Sequence, residues 1–441
     1  MTMAMRPGAA ASPPPPAGGA PMPMMPMTPA ARSMRLAGEH FAAALFYLLA
    51  GAIGLVWIAP ELALGAYPSP HVAGVTHFFT LGWLTTTIFG ALYQLLPVAL
   101  GAPVRSTRLG HASFWTFAPG AGLFATGVAA NSLALHHAGI ALVATGIVLG
   151  VSNVGATLPR ARSRDVTWAA VAMAITFLAS TLVLGVILLH NLHTGFIAAA
   201  RLRVLATHLH VAIVGWALVM IVGVSHRLLP MFLLSHGADT RWTRRALTLL
   251  PAGVVALAIG LNTRWGVVSW LGAVLLEGGV ACFLYQAYAF HRVRVRRRID
   301  VGMRFAASAL AFLAASAVLG PVVLAAGPAR ARLATAYVAI GLLGGIVLYV
   351  IGFFYKIVPL LAWTARYRDR MGKGPVPTVA ETFSARVATA QLALMAPAVA
   401  FLAAGIGSGS AIVAQCGAAL FLAGVLLFIS QIARVALGRR S

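Results

Sequence analysis

Histidines inside apolar stretches are the residues of this chain best suited to chemistry. His77 lies in VTHFFTLGW, and His208 and His210 lie in THLHVAIVGW. Neutral imidazole is a good ligand for heme iron, copper and zinc, and a histidine inside a membrane span is expensive enough to be a functional candidate. The sequence therefore predicts a heme or metal site at these histidines. The competing interpretation is that they are hydrogen-bonded residues at a wet membrane interface.

A second set of histidines lies near the ends of apolar stretches, at His136, His137, His190 and His193. Imidazole is amphipathic, so it is well solvated in the hydrated headgroup region. We expect these four side chains to be interfacial and unliganded.

Glu277 is the single acid deep inside an apolar stretch. Intramembrane carboxylates often mark a proton or ion pathway, but a protonated carboxyl that hydrogen-bonds to a neighbouring helix is an equal alternative. Arg227 and Lys356 lie near the other end of their stretches, and we expect them to reach toward the lipid headgroups.

This chain has few of the residues that the active sites of soluble hydrolytic enzymes use. There are eight acidic residues in all, and no phosphate-binding glycine loop or Ser/His/Asp pattern. The two cysteines, Cys282 and Cys416, lie in apolar stretches and form no CxxC motif. The sequence assigns no catalytic residue.

The composition requires a membrane. Of the 441 residues, 60% are hydrophobic and 9% are charged, and the mean hydropathy is +0.89, whereas about a quarter of residues are charged in a soluble domain. The formal charge of +24 would suggest a nucleic-acid partner in a soluble protein. Here the arginines crowd into every second connection, so we attribute the charge to topology rather than to nucleic acid. The positive-inside rule then predicts that both termini lie in the cytoplasm. We expect a bacterial-type inner-membrane protein with the lipid bilayer around it.

The hydropathy pattern predicts an all-α polytopic membrane protein with twelve spans. A disordered, cytoplasmic tail rich in proline and methionine is expected over residues 1–38, and a membrane domain over 39–441. The predicted spans are 39–59, 71–100, 111–130, 133–158, 166–190, 203–234, 243–262, 265–291, 302–326, 330–363, 384–405 and 410–437.

Three of these spans share a pattern when they are aligned on a proline. They are HFFTLGWLTTTIFGALYQLLP, HVAIVGWALVMIVGVSHRLLP and AIGLLGGIVLYVIGFFYKIVP, which end at Pro97, Pro230 and Pro359. A glycine precedes each proline by fifteen positions, and another precedes it by seven. Since these are spans two, six and ten, the sequence predicts three pseudo-repeats of four helices, over about 39–165, 166–300 and 301–441.

The repeat alignment also ranks the histidines. His77 and His210 are equivalent, and Ala339 takes that place in the third copy. His208 and His210 differ by about 200° around a helix, so only one of them can point at a given neighbour. The alignment favours His210 as the partner of His77.

A twelve-span subunit of this kind resembles the catalytic subunit of the heme-copper oxidases, also known as cytochrome c oxidase subunit I. The resemblance covers nearly everything after residue 38. In that family the second helix gives an axial histidine to a heme, which His77 matches, and the sixth gives a copper ligand, which His208 or His210 matches. The resemblance implies a suspected heme b or copper cofactor, respiratory electron transport, and a c-type cytochrome or another respiratory subunit as partner.

The departures from that family are informative. Its tenth and seventh helices carry further histidine ligands, whereas residues 330–363 and 243–262 contain none. The resemblance is therefore to a divergent member that is not a complete oxygen reductase, with a role in electron transfer or small-gas redox chemistry. The alternative is a non-redox membrane protein on the same scaffold, either a transporter or an assembly subunit of a respiratory complex.

Overall fold

The computed structural model describes residues 29–235, 237–295, 298–326 and 331–438. Over these residues the chain is helical, and its one β-bridge joins Ser235 to Arg294. We number the long helices in chain order. They are α1 (Pro29–Ala63), α2 (Pro70–Ala99), α3 (Thr107–Ala129), α4 (Leu133–Thr157), α5 (Val166–Thr194), α6 (Ala198–Leu233), α7 (Arg241–Thr263), α8 (Gly266–Arg292), α9 (Val301–Ala326), α10 (Ala331–Arg370), α11 (Ala385–Ser408) and α12 (Ala411–Leu437).

Eleven helices of the described residues are long and apolar enough to cross a membrane. The chain is thus built as a multi-pass membrane protein, as its composition predicts. Helix α3 is 23 residues long but is not among the eleven. Its polar and helix-weakening residues, such as His111, Thr116 and Pro119, lower its hydropathy.

The first helix begins earlier than the sequence predicts. Helix α1 starts at Pro29, and Leu36 and Ala37 are already fully buried, so the expected boundary of the tail at residue 38 falls inside a helix. The stretch AARSMRLA consists largely of good helix formers, which explains the extension. Residues 1–28, where most of the predicted tail lies, are outside the described residues.

Helices α2, α6 and α10 form the centre of the molecule. Their most apolar windows are 67%, 50% and 78% buried, the three highest values among the eleven spans. Each contains an eight-residue π-helical segment: Phe78–Thr85, Val211–Leu218 and Ile340–Val347. Each segment begins nineteen residues before Pro97, Pro230 or Pro359. Long π-helical segments are rare and frequently occur at functional sites.

The glycines within the π-helical segments make the same kind of contact in all three places. A Cβ on Gly82 would lie 2.5 Å from the Tyr47 side chain on α1. On Gly215 and Gly344 it would lie 2.6 Å from Phe177 on α5 and from Phe312 on α9. In each case, therefore, the missing side chain makes room for an aromatic ring from the helix that precedes the central one.

Six of the other nine helices form three hairpins, each joined by a buried amide. The hairpins are α3–α4, α7–α8 and α11–α12. The side-chain oxygens of Asn153, Gln286 and Gln431 on the second helix each accept a hydrogen bond from a backbone N–H at the start of the first helix. Those N–H groups belong to Ser106, Thr243 and Ser384, at 3.1, 3.1 and 2.9 Å. These bonds satisfy donors that a helix start would otherwise leave unpaired.

Arg227 and Lys356 are paired with acids rather than extended toward headgroups. Arg227 of α6 contacts Asp165 just before α5, and Lys356 Nζ of α10 lies 2.7 Å from Asp300 Oδ2 just before α9. Partial burial raises the pKa of Asp165, but the Trp168 backbone N–H and the Arg227 guanidinium outweigh it, so this pKa is lowered overall. The sequence-based expectation for these two cations assigned them no partner, and the structure adds an acid partner for each.

Candidate cofactor site

His77 ends the α-helical part of α2 at the point where the π-helical segment begins. Its Nδ1–H donates to the Ala73 carbonyl oxygen at 2.7 Å. The ring also meets Phe124 of α3 edge to face, with the ring centres 5.0 Å apart. The backbone bond fixes the tautomer and leaves Nε2 with a free lone pair. Metal-binding histidines are commonly oriented in this way, with the second ring nitrogen bonded to a backbone carbonyl.

His208 of α6 is the histidine that faces His77. The two ring centres are 6.5 Å apart, and the ring planes are inclined by 39°. Gly185 of α5 lies behind His208, and a Cβ built on it would be 3.4 Å from the imidazole Cε1. Helix α5 thus comes close to the ring without displacing it.

His210 faces a different helix. Its Nδ1–H donates to the Ala206 carbonyl at 2.8 Å, and its Nε2 lies 3.3 Å from the Tyr337 hydroxyl of α10. The repeat alignment favoured His210 as the partner of His77, but the ring contact of His77 is made by His208. As expected from the 200° separation, only one of the two α6 histidines points at α2.

Two cavities meet at His77 and His208. The larger lies between α1, α2, α3, α5, α6 and α10 and has about 1520 Å³ of empty space, and the smaller lies between α2, α3, α4, α5 and α6 and has about 650 Å³. Both are lined by His77, His208, Phe124 and Gly185. A flat ligand between the two imidazoles would therefore have space on both sides of the pair.

The larger cavity has one cation in its wall. Arg201, in the first turn of α6, lines it and donates from Nη2 to the Pro68 carbonyl at 3.0 Å. The other lining residues are mostly aliphatic or aromatic. The cavity therefore offers two imidazoles, apolar walls and a guanidinium. This set suits an apolar ligand that carries an acidic group.

The spacing of the imidazoles fits a shared metal ion. A ligating nitrogen lies about 2.0 Å from the metal, so two imidazoles on opposite sides of one ion have centres about 6.3 Å apart. The observed separation of 6.5 Å is close to this value. Both copper and heme iron accept neutral imidazole, so the residues present fit either cofactor.

Glu277 of α8 and Tyr337 of α10 are two polar residues that lie outside the larger cavity. Both approach Gly320 of α9: the Glu277 Oε1 lies 3.2 Å, and the Tyr337 hydroxyl 4.0 Å, from the Cβ position of that glycine. Tyr337 in turn contacts His210. Helices α8, α10 and α6 thus contribute a carboxyl, a phenol and an imidazole in sequence.

Tyr349 of α10 has a structural role. Its hydroxyl lies 2.6 Å from the Ser225 Oγ of α6, and both are buried. They lie beside a separate, almost wholly apolar cavity of about 630 Å³ between the three central helices. Trp216 of α6 similarly donates from its indole N–H to Thr85 of α2 at 3.1 Å. These bonds hold the central helices in register.

Sequence reasoning missed Gly185 and Arg201 as parts of the site. Gly185 resembled any other small residue of a span, and Arg201 was interpreted only as a loop charge that reports topology. The signal for Arg201 was its position seven residues before His208, which is about two helical turns on a similar face. Comparison of the chain with protein-family models and with curated proteins finds no match.

Proposed function

We propose that this chain is a membrane redox protein that binds heme b or copper between His77 and His208. The observation that carries the proposal is the imidazole pair, 6.5 Å apart at the junction of two cavities. When bound, the cofactor would supply one-electron chemistry, either for electron transfer or for reaction with a small gas. The apolar walls limit access of water, and Arg201 is placed to pair with an acidic substituent of a macrocycle.

The resemblance to the heme-copper oxidase subunit supports this proposal at the level of architecture. We propose twelve spans, because α3 packs antiparallel along the whole of α4, which itself is long and apolar enough to cross. Along this hairpin the Ser106 N–H donates to the Asn153 side chain near one end, Gly146 faces Phe117 in the middle, and Gly127 faces His136 near the other end. A helix paired with a spanning neighbour at both ends must cross with it.

We also propose three pseudo-repeats of four helices. The three π-helical segments, the three glycine–aromatic contacts and the three amide-capped hairpins support the repeat, because each recurs once per proposed unit. The proposed placement in a bacterial inner membrane, with cytoplasmic termini and with a c-type cytochrome or another respiratory subunit as partner, follows from the charge pattern and the resemblance. A complete oxygen-reducing centre is not proposed, since α7 and the described α10 contain no histidine.

Glu277 is proposed to serve a proton or ion pathway. It lies on α8 beside Gly320, and Tyr337 connects that region to His210, two residues after His208. The chain of groups offers a route by which a proton could reach the neighbourhood of the cofactor without crossing lipid.

The ligands are tested by the optical spectrum and the copper content of protein purified from cells supplied with heme and copper. We expect a Soret band, or one equivalent of copper in addition to any copper bound elsewhere on the protein, and we expect His77→Ala and His208→Ala each to remove that band or that equivalent. His210→Ala is the matched control, since it removes an imidazole two residues away that faces α10. Retention of the signal in His210→Ala, together with its loss in His208→Ala, would support the geometry.

Two results would overturn the proposal in different ways. Loss of the signal in His210→Ala but not in His208→Ala would move the site to the pair that the repeat alignment favours. A colourless, metal-free protein would favour the non-redox alternative, a transporter or an assembly subunit on the same scaffold. The specific observation behind that alternative is that Ala339 stands in α10 where α2 and α6 carry His77 and His210.

A further inference from the structure

Three histidines meet where the start of α4 lies beside the end of α5, apart from the His77–His208 pair. His136 and His137 lie in the first turn of α4, and His193 lies in the last turn of α5. One nitrogen of each ring lies within 4.8 Å of the other two. The Nε2 atoms of His136 and His193 are 2.8 Å apart, and the three ring-centre distances range from 4.7 to 5.3 Å. We call these residues the histidine trio.

The backbone around the trio is fixed by packing. Gly127 of α3 lies directly against the His136 backbone, and a Cβ there would clash with it, so α4 is held close to α3. His136 itself is fully buried, whereas His137 and His193 are exposed. The Nδ1–H of His137 donates to the Leu133 carbonyl at 2.8 Å, which leaves Nε2 of that ring as the free ligand atom.

The end of α5 is fixed as well. Gly195 adopts a left-handed conformation with φ 66° and its N–H bonds to the Asn191 carbonyl, which ends the helix two residues after His193. The Asn191 side chain accepts the Ile197 N–H at 2.8 Å and is itself buried. The start of α4 and the end of α5, which carry the trio, are therefore both held in place by packing or hydrogen bonds.

The chemistry of the trio favours a transition metal. Two unliganded imidazoles 2.8 Å apart can share one proton, but a third ring at the same point adds no further hydrogen bond to that pair. Three neutral imidazoles around one ion instead form the set that zinc and copper accept, with ligand nitrogens about 2.0–2.1 Å from the metal. For bonds of that length, the 2.8 Å between the Nε2 atoms of His136 and His193 corresponds to an angle of about 90° at the ion.

We propose that the histidine trio binds one divalent copper or zinc ion and that this site is separate from the proposed cofactor cavity. The exposure of two of the three rings leaves a ligand position open to solvent. The group contains no carboxylate, so selectivity would follow imidazole preference, with Cu²⁺ bound more tightly than Zn²⁺. The four histidines of this region were expected to be unliganded; the proposal changes that for three of them and leaves His190 outside.

The test uses the full-length protein in detergent, stripped of metal and titrated with Cu²⁺ or Zn²⁺. We expect one equivalent to bind that is retained in the His77→Ala/His208→Ala variant, and we expect His137→Ala and His193→Ala each to weaken the binding of this equivalent by about tenfold or more. Electron paramagnetic resonance of the Cu²⁺ form should show coupling to nitrogen ligands, reduced by each substitution. Because both residues are exposed, these variants avoid the risk of misfolding that His136→Ala carries.

Two controls separate this site from its surroundings. His190→Ala removes an exposed imidazole one turn before His193 and should leave the affinity unchanged. The double variant His77→Ala/His208→Ala should retain the ion even where it loses the proposed cofactor, so the two proposals can fail independently. Wild-type affinity in both His137→Ala and His193→Ala, or an equal loss in His190→Ala, would overturn the proposal.

Discussion

Gly185 offers a direct steric test of the cofactor site. It lines both cavities, and its nearest neighbour is the His208 Cε1, 3.4 Å from where a Cβ would lie. That distance is an ordinary van der Waals contact, so Gly185→Ala should fit. Replacing glycine by alanine within a helix is worth up to about 1 kcal/mol of stability. We therefore expect Gly185→Ala to fold and to bind the cofactor as the wild type does.

Gly185→Leu adds three more carbons, and these can extend into the space beside the His77–His208 pair, which Gly185 lines. Filling empty apolar space adds roughly 0.8 kcal/mol per buried CH₂ to the stability of the empty protein. A planar ligand between the rings would need that same volume. We therefore expect cofactor content to fall by about tenfold or more while the thermal unfolding temperature of the unloaded protein holds or rises; a tenfold loss corresponds to about 1.4 kcal/mol.

Gly155→Leu is the matched control. Gly155 is a half-buried glycine of α4 with a single neighbour, the Ile175 Cδ1, 3.9 Å from its Cβ position, and it lines none of the three cavities described above. This variant should bind the cofactor as the wild type does. The assay is the ratio of cofactor to protein, measured beside thermal unfolding. Full cofactor content in Gly185→Leu, or an equal loss in Gly155→Leu, would refute the placement of the ligand beside His208.

Two further predictions concern charged groups. Asp165→Asn keeps the helix-capping oxygen but loses the ion pair with Arg227, and should cost about 1 kcal/mol near pH 7 after allowance for solvent screening. Because the pKa of Asp165 is lowered in the folded protein, its contribution to stability is full above the unfolded pKa of about 3.9 and disappears as the pH falls through the folded pKa. The thermal unfolding temperatures of the wild type and Asp165→Asn should therefore converge in acid. A difference between them that stays constant with pH would contradict this. Glu277→Gln should keep the cofactor spectrum but flatten the pH dependence of its midpoint potential, which can reach about 59 mV per pH unit for one proton and one electron. Redox titration at several pH values measures that slope, and equal slopes in the two proteins would remove Glu277 from the pathway.

The apolar helices were predictable because their chemistry is local. A run of about twenty apolar residues is a span wherever it occurs, and all twelve predicted segments correspond to long helices of the described chain. The start of α1 was not predictable from hydropathy, since the residues after Pro29 are helix formers but not strongly apolar. The π-helical segments had no sequence signal beyond the shared glycine and proline spacing. Their wider turns depend on packing against rings such as Tyr47 and Phe177, which lie in other helices.

The identity of the histidine that faces His77 depends on how the central helices are arranged around their common axis. His77 and His210 are equivalent in the repeat alignment and do share one feature, a bond from Nδ1–H to the carbonyl four residues earlier. Equivalent residues in a ring of three helices do not face one another, however. Each such residue faces the next helix around the ring. A rotation that moves α2 onto α6, and α6 onto α10, therefore moves the contact of His77 with α6 onto a contact of His210 with α10.

The observed partners follow this rotation. His208 and Tyr337, which receive the two contacts, both lie twenty-two residues before their prolines, Pro230 and Pro359. The third contact of such a ring would join Ala339 of α10 to Val75 of α2, twenty-two residues before Pro97, and both of these residues line the larger cavity. The three interfaces thus carry two imidazoles, an imidazole with a phenol, and two aliphatic side chains. Only the first offers a neutral imidazole from both sides, which is why we propose one bis-histidine site, and not three, for the proposed triplicated scaffold.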